Sequence, residues 1–156
     1  GSRKELVKAV ELSDKLLRAT INKDESTVAE IIGEAHQANT SPKFYNNEQA
    51  LRSVVIMAYL SSVDDYIRFE ELASGKGYID LLFLPALQSS KPALIIELKW
   101  NKSAEKAVQQ EQDQQYWKFA KQFRYKGKIL LVGINYNSKT KKHTCKIKEI
   151  ESLEKN

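Results

Sequence analysis

Residues 75–80 read Gly-Lys-Gly-Tyr-Ile-Asp and residues 95–99 read Ile-Ile-Glu-Leu-Lys, and these two stretches decide the fold. Apolar residues alternate on both sides of the Gly-Lys-Gly turn, a pattern that is typical of a β-hairpin. Asp80, Glu97 and Lys99 place charge in this apolar setting, where an ionised group without a partner is costly. Three such groups converging on one face indicate a bound cation. We therefore interpret the region as a metal-dependent hydrolytic site.

The periodicity of the apolar residues predicts the elements around these stretches. One helix is expected at residues 103–123, and strands are expected at residues 66–72, 78–84, 93–100, 129–135 and 143–150. The helix supplies a crossover between the third and fourth strands, and the apolar run at residues 129–132 requires cover on both faces. The prediction is an α/β fold: αβββαβ with one added strand, built on a mixed central sheet flanked by helices.

Upstream of the sheet, apolar residues recur every three or four positions, which is typical of helices. Helices are expected at residues 3–21 and around residues 28–35, and Asn47 is a suitable cap for a third helix. Glu48 lies in the first turn of that third helix, on the stripe that faces inward. The prediction is therefore that the first two helices form a helical preface and that the third helix belongs to the core.

The length of 156 residues suits one domain with a substantial core. We assign residues 3–38 to the helical preface, packed on the domain, and residues 39–156 to the core. Residues 1–2, Gly-Ser, are expected to be a cloning scar, and the native chain is expected to extend further upstream.

The amino-acid composition limits which classes of binding partner and which cellular compartment are expected. Twenty-five Lys and Arg residues against twenty Asp and Glu residues give a net charge of +5, which suits a polyanionic partner without requiring one. The single cysteine, Cys145, excludes an internal disulfide framework, and no Cys/His spacing is typical of a zinc site. We therefore expect a reducing compartment, the cytoplasm. Without a long apolar run or a signal-peptide pattern, no membrane partner is expected.

The charged residues of the two central strands predict a specific chemistry. Asp80 on the second strand and Glu97 on the third offer hard oxygen ligands suited to Mg²⁺, and the backbone carbonyl of Leu98 is a candidate third ligand. Such an ion polarises a phosphoryl oxygen and lowers the pKa of a bound water. Lys99 lies alongside, where it could orient that water or neutralise developing charge. Phosphodiester hydrolysis is the reaction that these groups favour.

A solvated charge ladder on an edge strand is the plain alternative for an acidic-x-Lys triplet. The apolar residues around the triplet favour the catalytic interpretation, because a surface ladder would alternate with polar residues.

With these elements in place, the chain resembles the PD-(D/E)XK nuclease superfamily, in particular the C-terminal nuclease-like domain of bacterial proteins with an upstream AAA-ATPase-like domain. The resemblance runs from about residue 36 to residue 150. The motifs that carry it are Tyr45-Asn46-Asn47-Glu48, Ala58-Tyr59, Glu71-Leu72, Gly75-Lys76-Gly77, Asp80, Lys91-Pro92-Ala93, Glu97-Leu98-Lys99-Trp100, Ser103-Ala104, Gln110, Tyr116, Leu130-Leu131-Val132-Gly133-Ile134-Asn135-Tyr136 and Lys141-Lys142-His143.

The resemblance implies a restriction-endonuclease-like fold and a role for each site residue. Asp80 and Glu97 would be metal ligands, Lys99 the catalytic lysine, Glu48 the acid of the first motif, and Gln110 the polar residue of the following helix. The implied cofactor is Mg²⁺ or Mn²⁺, and the implied partners are nucleic acid, DNA or RNA, and an upstream ATPase-like domain. A homodimer is compatible with the resemblance, because many relatives of this fold pair to cut two strands.

Two positions depart from the family pattern. Ile79 stands where the superfamily name places proline, and Ala73 stands where a proline is expected after Glu71-Leu72. Neither departure removes a proposed ligand.

Several roles stay open from the sequence. Glu48 either reaches the metal, directly or through water, or only stabilises the start of its helix. Periodicity alone makes Gln110 partly solvated, so its role rests mainly on the resemblance. Glu71 either joins the metal shell or pairs with Lys76 at the surface, and the surface pair is favoured. Aromatic residues, Tyr78 among them, are assigned to the core rather than to base stacking.

Two functions of different classes follow. The first is a metal-dependent nuclease that hydrolyses phosphodiester bonds of nucleic acid. The second is a non-cleaving module with a nuclease fold, which binds nucleic acid or protein and regulates the attached ATPase-like domain. Retention of Asp80, Glu97 and Lys99 together favours the first.

Overall fold

The computed structural model describes residues 2–39, 47–74 and 77–151. Three helices come first, followed by three strands, a helical crossover and two more strands. In chain order the elements are α1 (Ser2–Ile21), α2 (Glu25–Asn39), α3 (Glu48–Ala58), a 3₁₀ helix (Leu60–Asp64), β1 (Tyr66–Ser74), β2 (Gly77–Pro85), β3 (Ala93–Trp100), α4 (Ala104–Asp113), α5 (Lys118–Gln122), β4 (Lys128–Asn137) and β5 (Lys142–Glu151). Within these described ranges, no helix is both long and apolar enough to cross a membrane.

The five strands form one mixed sheet whose spatial order follows the chain order. β3 and β4 run parallel, whereas every other pair of neighbours is antiparallel. The parallel pair requires a crossover, which α4 and α5 supply. Every predicted strand lies within an observed strand, so the prediction of a mixed sheet flanked by helices is confirmed.

The helical crossover is broken, and the expectation of a single helix at residues 103–123 is wrong. α4 ends where Gln115 adopts a left-handed backbone conformation, with φ of 56°. The N–H of Gln115 donates to the carbonyl of Gln112 (3.2 Å) and the N–H of Tyr116 donates to the carbonyl of Glu111 (3.1 Å). These two bonds form a Schellman motif, in which glycine is the usual left-handed residue. Because glutamine stands there, the helix end carries no glycine signal.

Apolar clusters cover both faces of the sheet. On one face α1, α2 and α3 pack on the strands, with Leu16, Val28 and Leu51 in the cluster. On the other face α4 and α5 pack on the strands, with Val108 and Ala120 in the cluster. β4 contributes buried side chains to both clusters, which is why its sequence is apolar at nearly every position.

Gly133 on β4 brings α4 close to the sheet beside the proposed site. It pairs in register with Glu97 on β3. A Cβ at Gly133 would lie 2.3 Å from the carbonyl oxygen of Ala104 and 2.8 Å from the Cβ of Ala107, so only glycine fits under this helix. The close approach sets the following turn of α4 over β3, next to Glu97.

β1 and β2 share an irregularity at the proposed metal ligand. Their ladder omits the facing positions Glu71 and Asp80, and Glu71 has a left-handed backbone with φ of 50°. Side-chain alternation shifts there, because Ile79 and Leu82 face the same cluster although they are three residues apart. Tyr78, the neighbour of Ile79, therefore lies on the opposite face from Leu82, whereas regular alternation along the strand would place Tyr78 and Leu82 on the same face. Tyr78 is 65% exposed and does not belong to the core.

Candidate active site

Asp80 lies at the point where β2 and β3 separate. The ladder between these strands covers only Leu81↔Ile96 through Phe83↔Leu94. Beyond it, Oδ2 of Asp80 accepts a hydrogen bond from the backbone N–H of Leu98 at 2.9 Å. The side chain thus replaces a ladder bond and ties the second strand to the third. Since the N–H and C=O of a strand residue point to the same side, the Leu98 carbonyl also faces this gap.

Glu97 is buried beside Asp80, at 5% exposure. Burial raises the pKa of Glu97 to about 8, and the negative charge of Asp80 adds to the shift while Lys99 opposes it. Oε2 of Glu97 is buried and finds no hydrogen-bond partner among the residues that the structure describes. A buried carboxylate oxygen without a partner, next to a second carboxylate, is suited to a cation.

Lys99 and Gln110 complete the cluster around Glu97. Nζ of Lys99 lies 3.7 Å from Oε1 of Glu97 and donates a hydrogen bond to Oε1 of Gln110. The amide nitrogen of Gln110 donates to Oε1 of Glu97 (3.4 Å) and to the hydroxyl of Tyr116 (3.2 Å). Gln110, on α4, therefore bridges Lys99 and the carboxylate of Glu97. The periodicity of the helix predicted only that Gln110 is partly solvated and did not indicate this placement.

Glu48 stands apart from this cluster. It is exposed in the first turn of α3, whose start is capped by Oδ1 of Asn47 accepting from the N–H of Ala50 at 2.7 Å. Its negative charge contributes, as the smallest of several causes, to the raised pKa of Glu97. The carboxylate is near enough to act on the site electrostatically, and both of its predicted roles stay open.

Arg52 was missed from the sequence, yet it contacts the proposed metal ligand. Nη2 of Arg52 lies 3.2 Å from Oδ1 of Asp80, and Nη1 pairs with the carboxylate of Glu71. Glu71 was expected to pair with Lys76, which lies outside the described residues. The sequence feature that could have indicated Arg52 is its spacing from Glu48. Arg52 follows Glu48 by four residues and so lies on the same face of the helix.

Glu111 was also missed, and it is fully buried. Neither of its carboxylate oxygens makes a hydrogen bond of normal geometry within the described part of the chain. Burial raises the pKa of Glu111 well above its usual range, and the charges of Glu97 and Asp80 add to the shift. The signal was again spacing, since Ala104, Ala107 and Glu111 form one helical stripe.

We expect Glu111→Met to stabilise the metal-free protein at pH 8. The pKa of this carboxyl is higher in the folded than in the unfolded state, so its cost appears as pH rises above the unfolded value. Removing the acid should therefore raise the free energy of unfolding by an amount on the order of 2 kcal/mol at pH 8, and by less at pH 5. Urea unfolding with EDTA measures both values.

Glu105→Met is the matched control, because Glu105 lies in the first turn of the same helix and is exposed. It should not stabilise the protein at either pH. A Glu111→Met protein that is less stable than wild type at pH 8, or equally shifted at both pH values, contradicts the assignment.

The donor set fits a small, hard divalent cation. Mg²⁺ takes one or two carboxylates from a protein and keeps several waters, and Asp80, Glu97 and the Leu98 carbonyl match that demand. Across residues 2–39, 47–74 and 77–151 no group of three or more His, Cys, Asp or Glu side chains is arranged to hold a metal. The fit therefore rests on two carboxylates, one carbonyl and the unpartnered oxygen of Glu97.

Comparison with known proteins identifies the family of the chain. The sequence model of a family described as the PD-(D/E)XK nuclease superfamily matches residues 46–146. A search of curated proteins found no match. The match covers most of the chain and includes both strands that carry Asp80, Glu97 and Lys99. The chain thus belongs to the PD-(D/E)XK nuclease superfamily.

Proposed function

We propose that the chain is a Mg²⁺- or Mn²⁺-dependent nuclease that hydrolyses phosphodiester bonds of nucleic acid. The observation that carries this proposal is the Lys99 amine held 3.7 Å from Glu97, a carboxylate whose pKa is raised first by burial and then by the negative charge of the neighbouring Asp80. A purely structural ion pair would not need a second acid, and the superfamily membership supports cleavage over other hydrolytic reactions.

Asp80, Glu97 and the Leu98 carbonyl would hold the ion. When bound, such an ion polarises a phosphoryl oxygen and lowers the pKa of a water molecule. Lys99 presents a positive charge beside these ligands, where it stabilises negative charge that develops on the phosphate or orients the attacking water. Gln110 holds the amine of Lys99 through its carbonyl oxygen and thereby fixes the direction of that charge.

The wider setting is also proposed. A net charge of +5 favours a polyanionic substrate. The assignment of residues 3–38 as preface and 39–156 as core, the upstream AAA-ATPase-like domain, a homodimer and a cytoplasmic location remain predictions. The two hypotheses for Glu48, as metal-shell acid or helix-start acid, belong with them.

We expect Mn²⁺ affinity to rise by about tenfold per pH unit between pH 6 and pH 8 and to level off above pH 8. The pKa of Glu97 is about 8 in the metal-free protein, so this group must release a proton before it binds a cation below that pH. Isothermal titration of Mn²⁺ at four pH values measures the slope. Repeating it in buffers of different ionisation enthalpy counts the released proton. An affinity that does not change between pH 6 and pH 8 contradicts this account of Glu97.

A second candidate function has one observation in its favour. Arg52 already neutralises Asp80, so the site contains a cation of its own and could persist without a metal. Under this alternative the chain is a non-cleaving module that binds nucleic acid or protein and regulates an attached ATPase-like domain.

One assay separates the two functions. Labelled single- and double-stranded DNA and RNA are incubated with the chain in Mg²⁺, Mn²⁺ or EDTA, with Asp80→Asn as the paired variant. Cleavage of any substrate that requires the metal and is lost in the variant supports the nuclease. Retention of substrates on a native gel with no cleavage under any condition supports the binding module.

A further inference from the structure

Arg52 is placed where a cation would bind to Asp80. Its guanidinium reaches from α3 to the separated strands, 3.2 Å from Oδ1 of Asp80, and also pairs with Glu71. The side chains of Arg52 and Asp80 are 17% and 14% exposed, so this ion pair is mostly shielded from water. Glu71, by contrast, is 62% exposed and presents its carboxylate at the surface.

Both oxygens of Asp80 are engaged in this arrangement. Oδ2 accepts from the Leu98 N–H, and Oδ1 faces Arg52. A divalent ion on Oδ1 would face a guanidinium across a few ångströms of poorly hydrated space, where like charges repel strongly. The Leu98 bond is part of the strand geometry, so the contact that must yield to the metal is the one with Arg52.

The hydrogen bonding of the Arg52 guanidinium is incomplete. Its Nε is buried and has no hydrogen-bond partner in the part of the chain that the structure describes. An unsatisfied buried donor is unfavourable, so the two acids alone hold the guanidinium in place. Glu71 offers an exposed acceptor that does not belong to the proposed ligand set.

We propose, on the basis of the proposed metal-dependent function, that Arg52 is a built-in competitor of the divalent cation. In the metal-free protein it neutralises Asp80, and it gives up Asp80 but keeps Glu71 when the cation binds. The affinity of the site is therefore lower than Asp80 and Glu97 alone would provide. Arg52 is a positioning residue that sets the metal concentration at which the site fills.

The test is titration of Mn²⁺ into wild type and Arg52→Gln without nucleic acid. The competitor role predicts that Arg52→Gln raises the association constant by about tenfold, the value of a charge-assisted hydrogen bond that no longer has to be broken. Arg68→Gln is the matched control. Arg68 pairs with Glu70 on the same sheet, so its substitution removes one positive charge outside the site. Its Mn²⁺ affinity should stay within about twofold of wild type.

Thermal unfolding provides a second measurement. Arg52→Gln leaves Asp80 without its partner, so the variant should unfold below wild type in EDTA, and saturating Mn²⁺ should close that difference. Arg52→Lys keeps the positive charge but loses the two-pronged hydrogen bonding of the guanidinium, so it should show an intermediate Mn²⁺ affinity. This variant tests the proposal if Arg52→Gln does not fold.

The outcomes are distinguishable. Equal or weaker Mn²⁺ binding by Arg52→Gln, with wild type binding normally, overturns the competitor role but leaves the proposed nuclease intact. It would instead favour a contact between Arg52 and substrate phosphate. Absence of Mn²⁺ binding in wild type and in every variant overturns the metal centre itself, and the competitor role with it.

Discussion

Lys99→Met is expected to reduce the cleavage rate by about a thousandfold or more, which is the usual effect of removing a charge that stabilises the transition state. The amine lies 3.7 Å from Oε1 of Glu97 and donates a hydrogen bond to Gln110, whereas Arg52 pairs with Asp80 and Glu71 instead. Methionine keeps the apolar stem and removes only the charge. Single-turnover cleavage at saturating Mg²⁺ measures the loss in the chemical step.

Mn²⁺ affinity separates catalysis from metal binding in this variant. Because the lysine repels a cation, Lys99→Met should bind Mn²⁺ at least as tightly as wild type. Lys102→Met is the control, since Lys102 is exposed just beyond β3, and it should cleave at nearly the wild-type rate. A Lys99→Met protein that keeps more than about a tenth of the wild-type rate contradicts the catalytic role.

Asp80→Asn is expected to weaken Mn²⁺ binding by about a hundredfold or more and to abolish cleavage. An asparagine oxygen can still accept the hydrogen bond of the Leu98 N–H, so the junction of β2 and β3 is preserved. What is lost is the negative charge and one good oxygen ligand. Isothermal titration with Mn²⁺ measures the affinity, and circular dichroism verifies that the fold is intact.

Asp65→Asn is the matched control for Asp80→Asn. Asp65 follows the 3₁₀ helix and pairs with Lys91 at 2.6 Å, away from the cluster of Asp80 and Glu97. Asp65→Asn removes the same charge without removing a proposed ligand, so the Mn²⁺ affinity should equal that of wild type. If Asp80→Asn folds and binds Mn²⁺ as wild type does, Asp80 is not a ligand.

The sheet was predictable because its signal is local. Two-residue alternation and the wholly apolar β4 follow from burial on one or both faces, and each can be read within a short window. The three charged residues of β2 and β3 were found for the same reason, since charge in an apolar run is conspicuous. The register of neighbouring strands predicts that they lie near one another, but the sequence does not predict that Asp80 lies beyond the end of the ladder between β2 and β3.

The missing features depend on contacts between distant segments. Arg52 matters because α3 brings its guanidinium to Asp80 on β2, and nothing within the helix sequence predicts that Asp80 is its partner. Glu111 is buried because Gly133 lets α4 approach the sheet, a contact across more than one element. The helix end at Gln115 lacks glycine, so the sequence carries no sign of its left-handed conformation, which precedes the buried Tyr116.

The irregularity at Glu71 and Asp80 links fold and site. In a regular ladder Asp80 would pair with Glu71 and its side chain would follow the alternation of the strand. The ladder is interrupted at this pair, and the carboxylate of Asp80 contacts Leu98 and Arg52. Exposed Tyr78 is a consequence of the same shift. Backbone departures of this kind are concentrated at functional sites, where the surrounding structure maintains them.

A crystal structure with Mn²⁺, read through its anomalous scattering, tests the central claim most directly. The account predicts one anomalous peak bound by the carboxylates of Asp80 and Glu97 and by the carbonyl of Leu98, at a pH above 8 where Glu97 is ionised. Well-ordered carboxylates with no peak between them at saturating Mn²⁺, or a peak bound elsewhere, would contradict it.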